Sequence, residues 1–172
     1  MAAAGSRFAA MSSRVTIIGY GNPLRGDDGA GQRVALELAR RRLADCEVVT
    51  CHQLTPELAE TLAATDLAVF IDARAGAVPG SVNVAPITAA ASCGNLGHHI
   101  EPGALLTMAQ LYGRPPAAVL VTLGAASFGP GEGLSPAVTA ALPQLVATVT
   151  GLIDGHRQAR TVSSTVPPAS TN

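Results

Sequence analysis

Apolar and polar positions along the chain divide it into alternating strands and helices. Val15-Thr16-Ile17-Ile18 is a β-branched run ending at Gly19-Tyr20-Gly21, the pattern of a buried strand followed by a tight loop. Gly29–Ala44 carries Val34, Leu36, Leu38 and Leu43 among Arg33, Glu37 and Arg40-Arg41-Arg42, which predicts an amphipathic helix with its arginines in water. Glu47–Cys51 predicts a second strand. Thr55-Pro56-Glu57 predicts a helix start, with Thr55 as N-cap and Pro56 in the first turn. Leu67–Ile71 is a third strand, continuously apolar and ending at Asp72; Val82–Ile87 is a shorter one suited to an edge. Pro102–Tyr112 predicts a helix closed by Gly113, Ala118–Leu123 another strand, and Ser135–Ile153 a long last helix opening on Ser135-Pro136.

Strands apolar on both faces, alternating with helices, imply a sheet covered on both sides. The expected fold class is α/β: a three-layer sandwich with a mostly parallel sheet of about five strands and helices on both faces. The 172 residues make about one domain. Residues 14–154 are expected to form it, between a disordered leader (1–13) and a Ser-, Thr- and Pro-rich disordered tail (155–172).

Composition narrows the function. With 48% hydrophobic and 13% charged residues, the chain as a whole is not disordered. A net charge of −1 and 3% aromatics leave neither a basic field nor a stacking surface for nucleic acid. No uninterrupted apolar run reaches the roughly 18 residues of a membrane span, and the leader lacks the features of a secretory signal. Three Cys without paired spacing argue against a disulfide framework and fit a reducing cytosol. A soluble, cytoplasmic, monomeric protein is expected.

In such sheets, ligands sit beyond the carboxyl ends of the strands. The loop Gly19-Tyr20-Gly21-Asn22-Pro23-Leu24-Arg25-Gly26-Asp27-Asp28-Gly29 departs from a dinucleotide fingerprint at Leu24. Its two carboxylates would also repel a pyrophosphate from the helix start, so no nucleotide is expected. One acid suffices to complement the helix dipole, a role assigned to Asp27; the second, Asp28, suggests a cation ligand. Asp72 projects from the same sheet edge, where a turn-forming role is the alternative. Cys93-Gly94-Asn95-Leu96-Gly97-His98-His99 brings two imidazoles to a helix start, and Glu101 there suits the dipole. Two carboxylates and one imidazole suit a first-row divalent ion such as nickel or zinc and leave positions open for substrate. Cys46 reads as core and Cys93 as loop. Ser127, Ser135 and Cys93 stand in no nucleophile–base frame, and no G-x-S-x-G elbow exists.

The stretch Gly19–Gly31, Phe70-Ile71-Asp72-Ala73, the His98-His99 segment and Gly131-Glu132-Gly133-Leu134-Ser135-Pro136, in that order, resemble the nickel–iron hydrogenase maturation endopeptidases. The resemblance implies an enzyme that removes a C-terminal extension from a hydrogenase large-subunit precursor whose nickel is already in place. It implies nickel ligation, on the precursor's own ion, by Asp28, Asp72 and His99, with the choice between His98 and His99 open. Cys51-His52-Gln53 replaces a Gly-rich segment of the family; Cys51, His52, Gln53 and His98 are expected substrate contacts, with a buried Cys51 and metal ligation by that segment as the alternatives. A nickel-binding or chaperone-like module without catalysis fits the same motifs.

Overall fold

The computed structural model describes residues 13–89 and 100–164. Its sheet contains β1 (Val15–Tyr20), β2 (Cys46–Cys51), β3 (Leu67–Arg74), β4 (Val82–Ile87) and β5 (Ala117–Gly124) in the order β2-β1-β3-β5-β4. Every pairing is parallel except β4 with β5, so β4 is an antiparallel edge. That edge accommodates Pro86, whose missing N–H a central strand would not tolerate.

Side-chain alternation along the central strands builds two cores. Val15, Ile17, Val69, Ile71, Val121 and Leu123 face one side, beneath α1 (Ala30–Arg40) and the last helix, α4 (Pro136–Ser164). Ile18, Ala68, Phe70 and Ala118 face the other, beneath α2 (Leu58–Ala63) and α3 (Pro102–Ala109). The three-layer α/β arrangement is the expected one.

Element boundaries differ for local reasons. The first helix stops at Arg40, short of Ala44, and Arg42 and Asp45 take left-handed φ values of 49° and 54°. Thr55 and Pro56 form a turn ahead of α2, with Glu57 in its cap position and no side-chain cap bond, so Thr55 is not the N-cap. The third strand runs on to Arg74, past Asp72. The largest departure is α4, which continues to Ser164 through a segment expected to be disordered. Side chains tie it down: Arg160 donates to the Asp66 carboxylate at 2.8 Å, and Arg157 donates to the Ala44 carbonyl. Apart from Ser13, the expected leader lies outside the described residues, as do residues 165–172.

By length and composition Pro136–Val162 is apolar enough to cross a bilayer, with a mean hydropathy of 1.5, although polar residues interrupt it. Here Val138, Leu145, Val149 and Ile153 recur at helical spacing and lie buried against the sheet.

The start of α1 rests directly on the strand ends. A Cβ at Gly31 would lie 2.4 Å from the Ile71 carbonyl oxygen and 2.5 Å from that of Tyr20, so only glycine fits. In an open helix Gly→Ala stabilises by about 1 kcal/mol. At Gly31 the sign reverses: Gly31→Ala is expected to lower the unfolding free energy by about 2 kcal/mol in urea titrations, because the clash is with backbone.

Candidate active site

The strand order reverses direction at β1 and β3: β2 lies on one side of β1 and β3 on the other, which opens a crevice at their carboxyl ends. Tyr20 and Asp72 occupy those ends. By alternation both fall on the face shared with Ile18 and Phe70. Between β1 and α1 the chain makes one 3-10 turn, Gly26–Gly29, which carries Asp28 back over the crevice. There the Asn22 N–H donates to Asp28 Oδ2 at 2.8 Å. Gly21, at a φ of 125°, permits this return, since a Cβ would lie 1.9 Å from the Asp28 carbonyl oxygen.

The result is a cavity of about 370 Å³ whose walls include Asp28, Asp72, Glu101, Tyr20, His52 and Arg25. Its character is acidic. Burial pushes the Asp72 carboxyl up to about 6; the Ala73 N–H (2.8 Å) and the Tyr20 hydroxyl, both donating to it, work against that rise, while Asp28 and Glu101 reinforce it. The Tyr20 phenol is raised for the same reasons, burial first and then the Asp72 charge. A carboxyl titrating near neutrality beside two further acids can hold a cation or exchange a proton.

Asp27 does more than the sequence assigns it. It lies in the first turn of the 3-10 helix, as complementing the dipole requires, and its carboxylate also turns towards the loop before α4. Oδ2 accepts the N–H groups of Ala126 (2.8 Å) and Ser127 (3.1 Å), and Oδ1 accepts that of Ser135 (2.6 Å). Only 1% of the residue is exposed. Burial alone would raise this carboxyl; the donors of Ser135, Ala126 and Ser127 outweigh it and hold the group below the ordinary range. A backbone bridge between Arg25 and Gly131 reinforces the link. Ser127 and Ser135 thus serve as structural partners of Asp27.

The expected substrate contacts divide. His52 and Gln53 line the cavity, whereas Cys51 packs against the core under α2 and α3, and burial raises its thiol. Its carbonyl accepts the side-chain amide of Gln32 at 3.0 Å, so Cys51 positions backbone. Cys46 packs against the opposite core, beside Arg157. Glu101 stands in the cap position of α3, ahead of the first turn where its dipole role was expected, makes no cap bond and faces the cavity. His98, His99 and Cys93 lie outside the described residues; the chain resumes in the cavity wall at Ile100. Among the described residues, no three His, Cys, Asp or Glu side chains are grouped closely enough to hold a metal ion. Tyr20, Arg25 and Glu101 were not foreseen as site residues. Tyr20 could have been, as a phenol one residue past the register pair Gly19–Ile71 and hence beside Asp72.

No family model and no curated protein sequence matches the chain. Solved structures do. The [NiFe] hydrogenase maturation protease HycI from Thermococcus kodakarensis superposes with a TM-score of 0.68 at 24% identity, covering 83% of this chain and 93% of that one. The hydrogenase maturating endopeptidase HybD from E. coli gives 0.67 at 21%, with the same coverage. The hydrogenase 2 maturation peptidase from a Thaumarchaeota archaeon gives 0.64 at 25%, covering 83% and 99%. The fold is that of the hydrogenase maturation proteases.

Two outcomes follow from the electrostatics. Asp27→Asn is expected to cost roughly 3 kcal/mol, because an amide cannot accept all three donors. With the native carboxyl depressed, its stabilisation is complete above the unfolded value near 3.9 and fades as pH falls towards the folded one. Acid unfolding should therefore begin below about pH 4 and be blunted in Asp27→Asn, as read by circular dichroism. Asp72 has the opposite sign. Its raised carboxyl makes the folded state less stable as pH climbs from about 4 to about 6, so Asp72→Asn should raise the melting temperature at pH 7.5 and the gain should vanish by about pH 4.

Proposed function

We propose that the chain is a nickel–iron hydrogenase maturation endopeptidase, removing the C-terminal extension of a nickel-loaded large-subunit precursor. The observation that carries this reading is Asp28 and Asp72 lining one acidic cavity at the strand-order reversal of a fold shared with solved hydrogenase maturation proteases. The nickel ion is part of the substrate. Asp28 and Asp72 would approach it from the sheet, and His99 would complete the set from the segment just before Ile100. An ion held this way brings the scissile peptide to the crevice and can polarise its carbonyl or acidify an attacking water. Tyr20 would orient the Asp72 carboxylate, while His52 and Gln53 contact the precursor. The protein acts as a cytoplasmic monomer in this reading.

The test is trimming of a purified nickel-loaded precursor, followed by mass spectrometry. Asp28→Asn and Asp72→Asn should each slow it by about 100-fold or more, the scale of losing several kcal/mol of charge stabilisation. Normal trimming by both variants refutes the site. Nickel binding without trimming by the unaltered chain would identify a nickel-binding module instead.

A further inference from the structure

At the opposite end of the sheet, where the parallel strands begin, lies a second cavity of about 520 Å³. Arg14 enters it just before β1, Asp66 just before β3, and Arg114 just before β5; His156 and Arg160 come from the extension of α4. Three of the eleven basic residues of a nearly neutral chain thus face one cavity.

The single carboxylate among them is already engaged at both oxygens. Asp66 Oδ2 accepts the Arg14 backbone N–H at 2.9 Å and Oδ1 accepts Arg160 at 2.8 Å. That leaves the cluster with an excess of two positive charges, three guanidinium groups against one carboxylate. Among the described residues Arg114 makes no ion pair. His156 lines the same wall, with its Nε2 atom enclosed by protein. Pro115, Pro116 and Ala63 add apolar wall beside the charges.

We infer that this cavity is a binding site for a small phosphate-class anion, free or esterified, held by Arg14, Arg114 and Arg160 with His156 in the wall beside them. Planar guanidinium groups offer paired N–H donors that match the oxygens of a phosphoryl group. The apolar wall gives room for the body of an ester. The site is remote from the acidic cavity, so it is independent of the proposed proteolysis.

Calorimetric titration of the full chain with inorganic phosphate and with phenyl phosphate, in phosphate-free buffer at low chloride, tests the inference. Saturable one-to-one binding is expected, accompanied by movement of the NMR signal that His156→Gln removes. Arg14→Gln and Arg114→Gln should each weaken it about fivefold, and together more, while Arg25→Gln in the other cavity leaves it unchanged. Tighter binding of phenyl phosphate would identify an ester as the ligand, and equal binding the free anion. Absence of saturable binding by either probe overturns the inference. So does binding that the double variant retains, or that Arg25→Gln abolishes.

Discussion

The buried carboxylate of Asp27 joins two loops that are remote in sequence and adjacent in space. One follows β1 and carries Asp28; the other runs from Ala126 to Ser135 and leads into α4. Without that junction, the loop before α4 would leave the N–H groups of Ala126, Ser127 and Ser135 without these acceptors. A carboxylate accepting three such groups has its charge solvated by them and gives each donor an acceptor, which is why burying it is tolerated. The acidic cavity inherits its shape from this arrangement: Asp28 is held over the crevice because the residue before it is anchored from the other side.

The site combines one acid locked below the usual carboxylate range with another raised to about 6, although both are partly or wholly buried. The difference is the number of donors. Asp27 has three backbone N–H groups, whereas Asp72 has one and a phenol, and faces two further acids. Environment thus separates an acid held in its charged form from one that titrates close to neutral pH.

Much of the fold was legible in the chain because a strand buried on both faces leaves an uninterrupted aliphatic signature, as at Val15–Ile18 and Leu67–Ile71. Asp72 was legible for a related reason, since a polar residue immediately after such a run falls at the sheet edge, whereas Asp28, eight residues past β1, stood out as a second acid at a helix start that one acid serves. What could not be read were contacts between distant segments. Asp27 looked like a helix acid because its donors lie about a hundred positions away. Likewise the extension of α4 looked unstructured, its partners Asp66 and Ala44 being equally remote. Cys51 and His52 are neighbours in sequence that face different environments, core and cavity, and composition alone does not say which goes where.

The absence of a side chain at Gly31 carries a consequence for how such a crevice can diversify. Because helix backbone touches the carbonyls of Tyr20 and Ile71 directly, the two acid-bearing segments form one unyielding block, with no spare volume for adjustment. Any change in the shape of the cavity must come from the opposite rim, residues 52–53 and 100–101, which hang from loops and helix ends rather than from that block. The two walls of the cavity are thereby separate mechanical parts, so one can drift while the other stays fixed.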